Sequence, residues 1–237
     1  MQCHNDDFLL YYSSYGIKEM NKLYFLSIDE TIDKTSFYKL FLHISKERQE
    51  YIKHLTSDID KKLSLFAELM IRMIAMEHLE ISNSKILFSK SQYGKPFIKG
   101  HAEFQFNISH TKCGIIVMIS DKTVGADIEK IKPAEIKIAN RFFTNYEQDY
   151  IIECSNKLNE RFFEIWTKKE AYVKYAGKGF SISLRSFDVF DEMISRKLQT
   201  FNIDGYIVSI CAESINEECE IVRLKEEQLK NIFYKMV

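Results

Sequence analysis

Apolar residues recur along this chain with a helical period in some segments and with a strand-like alternation in others. Across residues 58–79 they form one wide face, which predicts a long amphipathic helix. Across residues 159–175 a four-residue spacing begins with Phe162 and Trp166, and Gly177 suits the left-handed turn that ends a helix. The sequence therefore predicts one major helix in each half of the chain.

Shorter segments of both kinds fill the remaining sequence. The other predicted helices are 37–44, 46–55, 136–143, 146–154 and a closing one from residue 225, and the predicted strands are 23–28, 86–88, 104–108, 114–120, 123–129, 186–190, 205–212 and 220–223. A short turn separates strands 114–120 and 123–129, which predicts a β-hairpin. Helices followed by strands, twice, predict an α+β protein with two α/β halves of similar size.

Met20 directly precedes the first predicted strand, so residues 1–19 are interpreted as an N-terminal extension. The two predicted halves are then 20–122 and 123–237. The scarcity of glycine and proline leaves no room for a flexible linker between them.

Composition excludes several functional classes. The 33 basic and 34 acidic residues give a net charge of -1, which argues against a general nucleic-acid-binding protein. The five cysteines show no CxxC spacing, which favours reduced thiols in a cytoplasmic protein over a disulfide framework or a zinc cluster. No apolar run reaches the length of a membrane span, and the acidic N-terminus does not resemble a secretory signal.

Asp127 and Glu129 alternate in the predicted strand 123–129, so their carboxylates project from the same face. Adjacent like charges are tolerated best when a cation holds them, and oxygen ligands favour Mg²⁺, Mn²⁺ or Ca²⁺. The alternative is a solvated strand face without a ligand. Ile128 faces the opposite side in either case.

Three further positions are candidates for chemistry. Ser109 and His110 are neighbours at the end of a strand and face opposite sides, so they cannot form a nucleophile–base pair, and His110 is better suited to a phosphate. Lys95 precedes Pro96 in a predicted turn and could bind another phosphate or be a solvated loop lysine.

Glu170 and Lys174 lie one turn apart at the polar end of the helix that begins with Phe162 and Trp166. Such a pair is either a surface ion pair or an acid and a base placed at the edge of a cleft.

Several segments in chain order resemble the surfactin-synthetase type of 4′-phosphopantetheinyl transferase. They are YGKP, FNISHT, VGADIEK, RFFTNYE and FFEIWTKKEAYVKYAGKG, and the resemblance covers residues 20–188 with a weaker tail. The family transfers the phosphopantetheine arm of coenzyme A to a serine of an apo acyl or peptidyl carrier protein, which leaves adenosine 3′,5′-bisphosphate. The resemblance implies a pseudo-twofold fold with the active site in the cleft between the halves.

The resemblance also implies roles for individual residues. Asp127, Glu129 and Glu170 would bind Mg²⁺ or Mn²⁺, and His110 and Lys174 would contact the pyrophosphate of coenzyme A. In such a transfer the attacking serine hydroxyl of the carrier needs a base, and Glu170, directly or through a water, is the best candidate for it. Of the remaining positions, Lys95, Ser109 and Arg48 would bind the nucleotide, Trp166 would pack beneath the site, and Glu147 would be a lesser contributor.

The chain departs from the family pattern in its first half. Tyr51, Leu63 and Ala67 stand where basic residues and a glycine are expected, so recognition of the 3′-phosphate and adenine is in question. Lys61 or Lys62 could compensate.

Two other functions stay open, namely a coenzyme A- or carrier-binding homologue without activity and an unrelated Mg²⁺-dependent phosphohydrolase. The two-half arrangement favours a monomer.

Overall fold

A computed structural model describes residues 21–213 and 219–236. The extension predicted for residues 1–19 lies outside these described residues. In the described part of the chain, the helices are α1 (Lys34–Phe41), α2 (Lys46–His54), α3 (Asp58–Leu79), α4 (Ile136–Phe142), α5 (Asn145–Ile152), α6 (Leu158–Ala176), α7 (Glu192–Ser195) and α8 (Glu226–Tyr234). The strands are β1 (Lys22–Ser27), β2 (Phe88–Lys90), β3 (Pro96–Ile98), β4 (Gln105–Thr111), β5 (Gly114–Ser120), β6 (Val124–Lys130), β7 (Leu198–Ile203), β8 (Tyr206–Ala212) and β9 (Glu220–Leu224).

Side-chain caps explain where several helices begin. Asp33, Ser45 and Ser57 accept backbone N–H groups at the starts of α1, α2 and α3. Thr144 and Glu147 form a reciprocal capping box at the start of α5. Helix α6 ends as predicted, with Gly177 in the left-handed conformation at φ 65°.

The described strands form two main sheets and a small hairpin. The first sheet has the order β4-β5-β1-β9, in which β9 runs parallel to β1 and the other pairs are antiparallel. The second sheet is antiparallel with the order β6-β8-β7, and β2 pairs with β3. The α+β class predicted from the sequence is confirmed.

Three apolar clusters hold these elements together. Helix α3 packs on one face of the first sheet, through residues such as Leu65, Leu69 and Val117. The opposite face of that sheet, including Phe25, packs against Ile128 and its neighbours in the second sheet. A third cluster gathers α4, α5 and α6, with Phe143, Phe162, Phe163 and Trp166 among its members.

Two of the predicted strand features are wrong. Strands β5 and β6 do not form a hairpin, because β5 is already paired with β1 on one edge and with β4 on the other. Residues 186–190 are not a strand, since Phe187, Val189 and Phe190 instead pack into the third cluster between short helical turns. Strands β3 and β7 were not predicted.

The C-terminal elements associate with the first sheet and its apolar cluster, although the sequence prediction assigned them to the second half. Strand β9 extends that sheet beside β1, and Leu229 and Phe233 of α8 are fully buried in the first cluster. The boundary predicted at residue 123 stays a prediction, and the described residues 219–236 belong spatially with the first half.

Candidate active site

Strands β4 and β6 belong to different sheets but run side by side in the same direction. Asn107 of β4 accepts a hydrogen bond from the backbone N–H of Ala126 at 2.9 Å. Two residues further along β4, Ser109 donates from Oγ to Asp127 Oδ1 at 2.8 Å. Side chains of β4 therefore fix the position of the strand that carries the predicted metal ligands.

The same alignment continues to the end of both strands, where Thr111 Oγ1 donates to Glu129 Oε2 at 3.1 Å. Asn107, Ser109 and Thr111 alternate and so share one face of β4. Asn107 and Thr111 were missed by sequence reasoning, although the Asn-x-Ser-x-Thr alternation could have predicted that they share a polar face of β4 with Ser109.

Helix α6 brings its last turns directly against β6. A Cβ atom placed on Gly125 would lie 2.1 Å from the carbonyl oxygen of Ala171 and 2.3 Å from the backbone nitrogen of Tyr175. The two backbones therefore touch, which requires glycine at this position. This approach places Glu170 and Lys174 opposite the carboxylates of β6.

Lys174 is the central cation of the site. Its Nζ donates to Asp127 Oδ1 at 2.6 Å, to Ser109 Oγ at 3.0 Å and to the carbonyl of Ala126 at 3.2 Å. The interpretation of Glu170 and Lys174 as a surface ion pair is therefore wrong, because Lys174 pairs with the buried Asp127 across two elements.

The carboxylates of the site repel one another. Burial raises the pKa of Glu170, and the negative charges of Asp127 and Glu129 raise it further against the opposing effect of Lys174. Burial and Asp127 likewise raise the pKa of Glu129. Asp127 also keeps one buried oxygen, Oδ2, without a hydrogen-bond donor.

These features fit a cation, since an orphaned buried oxygen and mutually repelling carboxylates are relieved by positive charge. Among the residues that the structure describes, however, no group of three His, Cys, Asp or Glu side chains is arranged closely enough to hold a metal ion. Lys174 neutralises Asp127 in this arrangement.

His110 lies next to Ser109 on the opposite face of β4, as predicted. Its side chain is exposed, yet the surrounding protein desolvates the ring enough to lower its pKa, and the positive charges of Arg48 and Lys174 lower it further. The lowered pKa favours the neutral ring, and a neutral ring can still donate a hydrogen bond to an anion that Arg48 and Lys174 attract.

Comparison with known proteins identifies the family of this chain. Residues 123–227 match the family described as the 4′-phosphopantetheinyl transferase superfamily, and residues 32–123 match the family described as 4′-phosphopantetheinyl transferase, N-terminal. The chain is 34% identical over 230 residues to the 4′-phosphopantetheinyl transferase gsp of Aneurinibacillus migulanus, which covers 90% of this chain and 95% of that protein. The chain belongs to the 4′-phosphopantetheinyl transferase superfamily.

Two other similar proteins are also 4′-phosphopantetheinyl transferases. The 4′-phosphopantetheinyl transferase Sfp of Bacillus subtilis (strain 168) is 29% identical over 222 residues, covering 88% of this chain and 99% of that protein. The 4′-phosphopantetheinyl transferase psf-1 of Bacillus pumilus is 33% identical over 161 residues, covering 68% of this chain and 69% of that protein. The family and the transferase class predicted from the ordered motifs are confirmed.

In this phosphopantetheinyl transferase, Arg48 lies at a cavity of about 210 Å³ that Tyr51, Lys90 and Ile108 also line. The Arg48 guanidinium contacts Glu68 at 3.4 Å and lies 5.6 Å above the ring of Tyr51. An aromatic ring and cations beside apolar walls are suited to a nucleotide.

Two of the departures from the family pattern do not face this cavity. Leu63 and Ala67 are buried in the first apolar cluster on α3, where they contact other apolar side chains. Only Tyr51, of the three departures, borders the cavity.

Neither Lys61 nor Lys62 lines the cavity. The buried Lys62 donates to Asp29, Thr31 and Glu226, and Lys61 pairs with Asp58 on the same helix, so neither is placed to compensate for Tyr51.

The prediction that Glu147 contributes to the chemistry is wrong. It is fully buried, pairs with Lys169 at 2.8 Å, and accepts the backbone N–H groups of Thr144 and Val189. Lys95 does not line the cavity, and its Nζ donates to the backbone carbonyls of Val124 at 2.7 Å and Lys174 at 3.2 Å. Trp166 packs against Phe142 and Phe143.

No helix within the described ranges combines the length and the apolar character that a membrane crossing needs.

Proposed function

We propose that this protein transfers the 4′-phosphopantetheine group of coenzyme A to a serine of an apo acyl or peptidyl carrier protein. The products are the holo carrier protein and adenosine 3′,5′-bisphosphate. The observation that carries the proposal is the contact of the half-buried Lys174 with Asp127 and Ser109, which gathers a cation, a hydroxyl and carboxylates from α6, β4 and β6. Ile108, the neighbour of Ser109, lines the cavity beside Arg48.

In the transfer step, the hydroxyl oxygen of the carrier serine forms a bond to the phosphorus that bears pantetheine. The bond from that phosphorus to the oxygen of the departing adenosine bisphosphate breaks, and the serine proton passes to Glu170. The raised pKa of Glu170 suits this role, since a carboxylate with raised proton affinity is a better base. Lys174 and His110 stabilise charge on the phosphate oxygens.

Asp127, Glu129 and Glu170 would hold Mg²⁺ or Mn²⁺. When bound, the ion would neutralise negative charge on the diphosphate. The unpartnered Oδ2 of Asp127 and the raised pKa values of Glu129 and Glu170 support this assignment. Lys174 is then free to bind phosphate, because Asp127 no longer needs its charge.

The substrate set is coenzyme A and a carrier protein, without nucleic acid or membrane as a partner. We further propose that the enzyme acts in the cytoplasm as a monomer. The near-zero net charge supports the absence of a nucleic-acid partner. The free thiols of Cys113, Cys154, Cys211 and Cys219 support the cytoplasmic location, and the packing of both sheets within one chain supports a monomer.

The test is incubation of the protein with coenzyme A, Mg²⁺ and a panel of apo carrier proteins, followed by mass spectrometry of the carriers. We expect the mass of at least one carrier to rise by one phosphopantetheine group. Glu170→Ala should abolish the gain, whereas Glu160→Ala, at an exposed position in the first turn of the same helix, should preserve it.

Two outcomes would contradict the proposal. Binding of coenzyme A without modification of any carrier would indicate the non-catalytic homologue. Release of phosphate from small esters, again without carrier modification, would indicate a phosphohydrolase.

A further inference from the structure

The side chain of Lys95 crosses from the first half of the chain to the second. Its backbone is held in the turn between β2 and β3, where the Lys95 N–H donates to Ser91 Oγ at 3.1 Å and the Lys95 carbonyl accepts the Ser91 N–H at 2.9 Å. Its Nζ reaches the carbonyls of Val124 and Lys174. One side chain thus links the β2–β3 turn, the start of β6 and the end of α6.

The two carbonyls that accept from Lys95 lie at the end of α6 and at the start of β6. Helix α6 ends at Ala176, so the carbonyl of Lys174 belongs to the last turn, where backbone oxygens lack partners within the helix. A cation at a helix C-terminus is also favoured by the helix dipole. Val124 begins the strand that carries Asp127 and Glu129, so Lys95 bonds both elements that carry the site.

The close contact at Gly125 shows why this link matters. The α6 backbone at Ala171 and Tyr175 touches β6 there, and Lys95 bonds to the same helix end through the carbonyl of Lys174. Beside this close contact, Lys174 Nζ lies 2.6 Å from Asp127 Oδ1. Burial lowers the pKa of Lys95 to about 8, which agrees with an ammonium enclosed between the halves.

We infer that Lys95 is a positioning residue that holds the last turn of α6 against β6, so that Glu170 and Lys174 face Asp127 and Glu129. We call this set of contacts, Lys95 with the Val124 and Lys174 carbonyls, the Lys95 clamp. The inference rests on the proposed function for its catalytic consequence. It differs from the nucleotide contact that the family resemblance implies for Lys95, because a clamp acts through the protein backbone.

Lys95→Met tests the clamp, because it keeps an unbranched stem but removes the charge and the donors. We expect kcat to fall by about 10- to 100-fold, since small misplacements of catalytic groups have effects of this size. The dissociation constant of adenosine 3′,5′-bisphosphate should change by less than about twofold, because the nucleotide loses no contact. Lys95→Arg keeps donors and charge and should restore part of the activity.

Hydrogen exchange gives a readout that does not depend on activity. Amides in the last turns of α6 should exchange faster in Lys95→Met than in the wild type, while amides of α3 stay unchanged. Lys99→Met is the matched control, since Lys99 is exposed just after β3 and should alter neither exchange nor kcat.

Two results would overturn the inference. A loss of nucleotide affinity that equals the loss of kcat/KM, with unchanged exchange in α6, would make Lys95 a nucleotide contact. Unchanged kcat and unchanged exchange would show that the clamp is dispensable. If the wild type modifies no carrier, the proposed function fails, and the exchange measurement still decides whether Lys95 holds α6.

Discussion

At the scale of single residues, the site combines one strong ion pair with carboxylates that lack neutralisation. Lys174 neutralises Asp127, whereas Glu129 and Glu170 remain half-buried with raised pKa values. Such an arrangement is costly for the free protein and favourable for binding cations and phosphate. The same carboxylates therefore lower the stability of the free enzyme and raise its affinity for a cation.

The raised pKa of Glu170 predicts that the free energy of unfolding depends on pH. Its pKa in the folded protein is raised above 4.5, so the folded state binds more protons than the unfolded state between 4.5 and the raised value. Across that window the free energy of unfolding must fall as pH rises. Without divalent metal, Glu170→Gln should remove part of this fall and make the protein more stable than the wild type at neutral pH.

Chemical denaturation in chelator, at about pH 5 and about pH 8, measures this difference. Added Mg²⁺ should then raise the melting temperature of the wild type more than that of Glu170→Gln. Glu160→Gln, exposed on the same helix, should follow the wild type in both measurements. A Glu170→Gln protein that is less stable than the wild type at about pH 8 would refute the argument.

Whether the sequence could predict the place of a residue depended on how close in sequence its contacts are. Asp127, Glu129 and Ser109 could be placed from the sequence, because strand alternation alone determines which side chains share a face. The places of Lys95 and Glu147 could not be predicted in this way. Their partners, Lys174 for one and Lys169 for the other, lie on a helix whose packing depends on the whole fold.

At the scale of elements, the contact between β6 and α6 positions the chemistry. Gly125→Ala adds a methyl group 2.1 Å from the Ala171 carbonyl oxygen, and backbone atoms cannot move aside as a flexible side chain does. We expect α6 to shift away from β6 and kcat to fall by at least about tenfold. Transfer kinetics, corrected for the folded fraction, measure this effect.

Gly114→Ala is a suitable comparison, since its methyl group would meet a side-chain atom of Tyr206 at 2.7 Å rather than the backbone of α6. It should lower the melting temperature without lowering the turnover per folded molecule. Equal turnover in Gly125→Ala and the wild type would show that the close approach does not position the site.

The elements themselves were predictable where one amphipathic face is long. The bounds of α3 agree with the sequence prediction, and α6 differs by one residue at each end. The false hairpin of β5 and β6 has a different cause, because a short turn between two apolar strands has the same local pattern whether or not the strands pair. Which strand occupies the edges of β5 depends on contacts with β1, far away in sequence.

At the scale of the whole molecule, the elements that follow the second sheet, β9 and α8, pack with the N-terminal elements β1 and α3. Lys62 of α3 binds Glu226 of α8 at 2.9 Å, and β9 lies beside β1. The second apolar cluster joins the faces of the two sheets. These contacts should make both halves unfold together, with the C-terminal elements as part of the first.

Leu229→Ala tests this coupling, because Leu229 of α8 is fully buried in the first apolar cluster. The cavity should cost about 2–5 kcal/mol of unfolding free energy. Trp166 is the only tryptophan and lies in the third cluster, so its fluorescence reports on the second half while circular dichroism reports on the whole chain. We expect both denaturation midpoints to fall equally, and Leu42→Ala, at a position that is 77% exposed, to leave both unchanged. Should the circular dichroism midpoint fall while the Trp166 transition stays in place, the halves unfold independently, and the C-terminal elements stabilise only the first.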